Sequence, residues 1–205
     1  MKFQIQKILL AASLGASLLS GCAPLVVGGA VMSGMVAVDR RTSGTQLEDE
    51  AIELKVASAV SKELGERVHM NVTSYNRRVL LTGEARSEAD RSRATLLAQS
   101  QENVKEVIND LAIGAASSLT QRTKDSVTTG QIKAAFVDAK DLQASAVKVV
   151  TERGGVYLMG RVTAREAQRA TDIARGIGGV VKVVRVFEEI SEQELQRLSQ
   201  PPLSR

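Results

Sequence analysis

The chain has 205 residues, of which 43% are hydrophobic and 24% charged, with one cysteine, one histidine, no tryptophan, two tyrosines and three phenylalanines. A single cysteine excludes an internal disulfide, and so few aromatic side chains argue against the stacking platforms that hold single-stranded nucleic acid. The formal charge of +4 is unevenly spread: residues 48–114 carry nine Lys/Arg against twelve Asp/Glu, and residues 115–190 carry twelve against eight. The second half is therefore the one drawn to anionic surfaces.

In chain order, residues 1–21 have the three parts of an export signal. Lys2 and Lys7 give a positive start, residues 8–19 are apolar but too short to span a bilayer, and small residues follow. The segment closes on Leu19-Ser20-Gly21-Cys22, which resembles the lipobox of bacterial lipoproteins. The resemblance implies cleavage before Cys22, a diacylglycerol on its thiol and an N-acyl chain on the new amino group. Several acyl chains anchor stably where one alone is marginal. Ala23, rather than aspartate, follows the cysteine, and in such lipoproteins that favours the outer membrane. Residues 22–47 then read as a lipidated N-terminus and linker, whose 23–38 stretch is rich in Gly, Ala, Val and Met.

The rest reads as two copies of one unit. Val79-Leu80-Leu81-Thr82-Gly83 superposes on Val156-Tyr157-Leu158-Met159-Gly160 at an offset of 77 residues, and Val72, Val104 and Val107 then meet Val149, Val181 and Val184. Upstream, Ile52 and Val56 match Ile132 and Phe136 once a three-residue difference in length is allowed. The first copy occupies 48–114, the second 126–190, with 115–125 as a linker and 191–205 as a polar tail.

Each copy opens with an amphipathic helix, marked by Ile52, Val56, Ala59 and Val60 in the first and by Ile132, Phe136 and Ala139 in the second. Thr128 or Thr129 is the expected N-cap of the latter. Two strands follow, joined by turns at 75–78 and 153–155. A second helix comes next, with capping-box spacing at Thr163 and Glu166 in the second copy. A last strand closes each unit, near 104–112 and 181–190. Gly83 and Gly160 read as places where a strand leaves the sheet, with a bulge or a close backbone approach as alternatives. The order αββαβ specifies an α+β fold: a small three-stranded sheet with two helices over one face, twice over.

The V-x-L-x-G motif (Val79/Leu81/Gly83 and Val156/Leu158/Gly160), the Gly179-Val180 pair before the last strand and this element order resemble the BON domain. Two such domains behind a lipobox, with Asp39-Arg40-Arg41 before the first, resemble the dual-BON outer-membrane lipoproteins. The resemblance implies an outer-membrane, lipid-anchored, periplasm-facing protein with anionic phospholipids of the outer membrane as its partner, supporting membrane integrity and enriched at the division site. It places the phospholipid contact on the first helix of the second module, with Lys124, Val127, Ile132, Lys133, Phe136 and Lys140 as the contacting residues. Where relatives carry a tryptophan near the start of that helix, this chain has Val127. A periplasmic scaffold supporting β-barrel assembly machinery or another envelope machine is the alternative.

Candidate chemistry is sparse. His69 is out of step with Val68 and Met70 on its strand and points outward, and with Cys22 consumed by lipid no Cys/His metal cluster is expected. Gly176-Ile177-Gly178-Gly179 lacks the spacing and the preceding strand of a phosphate loop. Glu48-Asp49-Glu50 and Glu188-Glu189 read as solvated element ends. The sequence therefore predicts no catalytic residue, no metal, no cofactor beyond the acyl groups on Cys22, no small-molecule substrate and no nucleic acid.

Overall fold

A computed structural model describes residues 39–198. The signal, Cys22 and the proline-containing tail lie outside the described residues.

Helix α1 (Ser43–Leu64) starts where the Thr42 hydroxyl accepts from the Thr45 amide and stops at Gly65, whose φ of 52° suits a residue without a Cβ. Its buried residues, Asp49, Ile52, Val56, Val60 and Leu64, recur every three or four positions and so form one stripe. A short 3-10 turn (Gly65–Arg67) leads into β1 (Val68–Tyr75), paired antiparallel with β2 (Arg78–Ala85). Between them Asn76 and Arg77 both have positive φ, 49° and 68°, the backbone of a type I′ hairpin. Helix α2 (Glu88–Gln99), capped by Ser87, crosses over to β3 (Glu106–Ile113), which pairs parallel with β2.

The second copy repeats this with α3 (Leu119–Asp138), a 3-10 turn (Ala144–Ala146), β4 (Lys148–Glu152), β5 (Gly155–Val162), α4 (Ala164–Arg175) and β6 (Lys182–Glu189). A short α5 (Glu192–Leu198) follows. The Thr163–Glu166 capping box forms as the spacing predicts. In both sheets the hairpin's second strand is central.

Helices cover one face of each sheet. Val79 and Leu81 join the α1 stripe, Ala94 and Ala98 in one core; Val156 and Leu158 join Ile132, Phe136 and Ala170 in the other. The opposite faces are not left to solvent. Tyr75 and Leu80 of the first sheet pack with Tyr157, Met159 and Val186 of the second, flanked by Ile108, Val150 and Val184. The modules thus meet sheet to sheet, in four layers: α1/α2, sheet, sheet, α3/α4. Polar bonds rim the seam: Tyr157 donates to Asp110 at 2.5 Å, Arg78 to the Phe187 carbonyl at 2.6 Å, and Asn71 to Glu152 at 3.0 Å.

Four sequence readings need correcting. Helix α1 begins within the 22–47 stretch, and α3 begins at Leu119 inside the 115–125 stretch read as linker, with Ser118 as its cap. Thr128 and Thr129 are therefore mid-helix residues. The expected alignment of the first helices is one turn out: both point an aspartate and then an apolar stripe at the sheet, so Asp49, Ile52, Val56 and Val60 correspond to Asp125, Thr128, Ile132 and Phe136. Polar residues at buried positions hide that register. Asp49 is also buried rather than solvated. Finally, Gly83 and Gly160 lie within continuous strands. A Cβ on Gly83 would stand 2.2 Å from the His69 carbonyl oxygen, and one on Gly160 would stand 2.3 Å from that of Ala146. Close backbone approach is their reason.

Candidate functional site

Helix α3 is 20 residues long, about 30 Å. Its inner face carries Asp125, Thr128, Ile132 and Phe136. Ile132 and Phe136 are 0% and 1% exposed, so both are core side chains and neither can touch a surface outside the protein, contrary to the sequence reading. The spacing that makes them look like one face of an interfacial helix is the spacing that aims them at the sheet.

The opposite face carries a different apolar set. Leu119, Val127 and Val137 are 79%, 55% and 72% exposed, and at 100° per residue they fall within one stripe. Thr123, Ser126, Gly130 and Ala134 fill the stripe between them and are all exposed. Arg122 and Lys133 lie along one border and Lys124 along the other, while Lys140 stands just past the helix end; all four are exposed. Sequence reasoning finds Lys124, Val127, Lys133 and Lys140 but misses Leu119 and Val137. The eighteen-residue gap between those two is five helical turns, a signal that is readable once 119–125 is taken as helix.

Charge pairing is sparse on this face. Most of the module's other cations are paired, Lys148 with Glu53, Arg153 with Glu84, Arg161 with Glu188 and Glu194, Arg169 with Asp141, Arg175 with Asp172 and Lys182 with Asp110, while Arg165 and Arg185 donate to neutral oxygens, the Asp141 carbonyl and the Gln168 side chain. Among the described residues, Arg122, Lys124, Lys133 and Lys140 have no ion-pair partner. An exposed apolar ridge bordered by unpaired cations can seat at an anionic interface, with the cations' stems lying along it and their heads at the headgroups.

The Asp39-Arg40-Arg41 segment is the other polar concentration. Arg40 is buried and donates to both Glu166 carboxylate oxygens, at 2.7 and 2.8 Å. Burial alone would raise the Glu166 carboxyl, but the Arg40 bonds and the Thr163 amide hold it below the usual carboxylate range. Arg41 bonds Asp39 and Asp49 and lies 4.2 Å from the Tyr75 ring centroid. Burial opposes ionisation of Asp49 as well, yet bonds from Ser74, Arg77, Arg41 and Asn76 hold its carboxyl low.

His69 is exposed, as read, and its Nδ1 lies 3.2 Å from Glu84. Glu84 is buried; Ser117, Arg153 and His69 outweigh the cost of burial and keep it low. Among the described residues no group of three or more His, Cys, Asp or Glu side chains is placed to hold a metal ion.

The BON-domain family model matches residues 48–115 and 124–189. The chain belongs to the BON-domain family. Over 183 residues it is 44% identical to "Outer membrane lipoprotein DolP" of Haemophilus influenzae, covering 87% of this chain and 94% of that protein, which makes it an outer-membrane lipoprotein of the DolP/YraP kind. It is also 37% identical over 155 residues to a "21 kDa hemolysin" of Actinobacillus pleuropneumoniae, covering 75% of this chain and 80% of that one. Against "Osmotically-inducible protein Y" of Escherichia coli it is 31% identical over 144 residues, covering 68% and 72%.

Proposed function

We propose that the protein is a non-enzymatic lipoprotein that binds anionic phospholipid through the outer face of α3, supports outer-membrane integrity and acts at the division site. Acyl chains on Cys22 hold it to the membrane. The observation that carries the reading is the ridge of Leu119, Val127 and Val137 bordered by four unpaired cations. At about 1 kcal/mol per cation near an anionic surface, they supply about 4 kcal/mol, a millimolar-class contact. Tethering by the lipid supplies an effective concentration in that range, so a weak contact is sufficient.

The test uses the whole chain made acyl-free by Cys22→Ser, with phosphatidylglycerol vesicles. Lys133→Glu combined with Val127→Glu should abolish sedimentation with the vesicles and leave the thermal melt intact. Undiminished binding by that variant would sink the assignment.

One observation favours the scaffold reading as a second role. The outer face of α1 exposes Leu47 and Leu54, 67% and 73%, one above the other on the layer opposite α3. A protein partner of the envelope, such as β-barrel assembly machinery, would dock there while α3 faces lipid. Site-specific crosslinkers at Leu47 and Leu54 that capture no protein in cells would remove this reading.

A further inference from the structure

The loops that lead into the last strands of the two modules share a backbone and differ in chemistry. Arg78 pairs with Glu106 in the first sheet, and its counterpart Gly155 pairs with Lys182 in the second. The residues just before those partners, Lys105 and Val181, donate their amides to the Arg77 and Gly154 carbonyls at 2.9 and 2.8 Å. Two places earlier, Asn103 and Gly179 both have positive φ, 67° and 90°. The backbone therefore matches Val181 with Lys105, one place from the Val104–Val181 alignment of the sequences. The first loop reads Glu102-Asn103-Val104-Lys105, and the second, Gly178-Gly179-Val180-Val181, carries neither charge. Where the first module exposes a lysine, the second exposes a valine. At 81%, Val181 is the most exposed large hydrophobic side chain among the described residues.

A lone exposed valine is ordinary, but one continuous with an apolar ridge is not. The 178–181 loop lies against the first half of α3. A Cβ on Gly179 would stand 3.5 Å from the Thr128 hydroxyl, and one on Gly154 would stand 2.9 Å from the Val181 side chain. Gly154 in turn donates to Asp125. The first module shows which border of the helix such a loop follows. There Lys55 of α1 pairs with Glu102 of the loop at 3.6 Å. With Asp49 matching Asp125, Lys55 matches Gln131, and Glu102 matches Gly178. Gln131 is two turns from Lys124, on the same border of α3, and Val127 stands between them in the sequence. The loop therefore widens the ridge on the side where Val127 and the unpaired Lys124 are exposed.

We propose that the 178–181 loop is a second lipid-contacting element: Val181 enters the interface of an anionic leaflet together with Val127, with Lys124 at the headgroups. The proposal rests on the reading of α3 as the lipid contact, and it centres that contact on the first half of the helix. Burial in the interface takes from water an apolar side chain that nothing in the module covers. Gly178 and Gly179 carry no side chain to hold the backbone off the surface. The equivalent loop of the first module, with Glu102 exposed, is unsuited to the same leaflet.

The experiment uses the chain made acyl-free by Cys22→Ser, with phosphatidylglycerol vesicles. Cys22 is the only cysteine, so an environment-sensitive fluorophore can be placed on one new cysteine: Val127→Cys, Val181→Cys or, at the matching point of the first module, Lys105→Cys. Vesicles should brighten the Val127 and Val181 labels several-fold and leave the Lys105 label as it is in buffer. Unlabelled Val181→Glu should bind vesicles about tenfold more weakly, through the loss of one buried valine and the addition of a like charge. Its melt should match the parent's, because the side chain is exposed in the folded protein. A Val181 label as silent as the Lys105 label, or undiminished binding by Val181→Glu, overturns the loop contact; a bright Val127 label would then leave the α3 reading standing. If the acyl-free parent fails to bind, or the Val127 label stays dark, the α3 reading falls and the loop contact falls with it.

Discussion

Asp49 and Asp125 do the same work at equivalent places in the two modules. Asp49 accepts from the amides of Asn76 and Arg77 at 2.8 and 2.7 Å, and Asp125 accepts from those of Arg153 and Gly154 at 2.8 and 2.9 Å. Each carboxylate sits on the buried face of a first helix and closes a hairpin turn whose two residues have positive φ. Arginine is strained in that region, so the helix holds the turn that the strands need.

Asp49→Ala and Asp125→Ala should each destabilise by about 2–3 kcal/mol, since buried amides lose their acceptor. Asp49→Ala should cost more, because it also takes an acceptor from the buried Ser74 hydroxyl and one of the two carboxylate partners of the half-buried Arg41. Urea denaturation of the acyl-free chain measures both; equal, sub-kilocalorie effects would show that the turns hold without the helices.

Acid should unfold the protein from below about pH 4. Asp49, Glu84, Asp110 and Glu166 all have carboxyls held below their ordinary values. Lowered folded-state values mean that the unfolded chain binds protons first as pH falls. Stability is then fully present above the unfolded values near 4 and is lost as pH drops through the folded ones. Melts from pH 7 to 2 should be flat and then fall, and Asp49→Asn should shallow the fall.

Glycine substitutions should split by location. Gly83→Ala forces a Cβ against the His69 carbonyl at a φ of 119° and should cost about 2 kcal/mol or more. Gly130 lies mid-helix, and a Cβ added there would meet nothing within 4 Å, so Gly130→Ala should stabilise by about 0.5–1 kcal/mol. Differential scanning calorimetry would read the opposite signs directly.

Both tyrosines should ionise late. Burial, then the charge of Asp39, push Tyr75 up to about 12. Burial and the bond to Asp110 push Tyr157 up as well. Raised values mean stability present below the unfolded value of about 10 and lost as pH climbs past it. Absorbance by tyrosinate should therefore stay low through about pH 10–11 and rise with alkaline unfolding; a transition near the ordinary tyrosine value in the folded protein would contradict the shared sheet face.

The strand alternation, the capping box and the repeat are legible in the sequence because each is a local pattern with one physical cause. The sheet-to-sheet contact escapes that reading, although β2 and β5 carry unbroken apolar runs, Val79-Leu80-Leu81 and Val156-Tyr157-Leu158-Met159, where a half-exposed strand would alternate. The α3 face is half legible. Its cations stand out, but Ile132 and Phe136 are assigned outward because helical spacing fixes which residues share a face and leaves open which way that face points. Arg40 and Glu166 are beyond reach, since nothing local links residues 126 positions apart.

The contact between the sheets makes the chain indivisible at its most obvious join. Cutting in the stretch between β3 and α3 would give two pieces that each look like a whole domain. Each would carry Leu80 or Tyr157 and Met159 on a bare sheet, a surface suited to sticking to its own kind in a crowded periplasm. A chain written as a duplication behaves as a single fold, and neither half is a spare part.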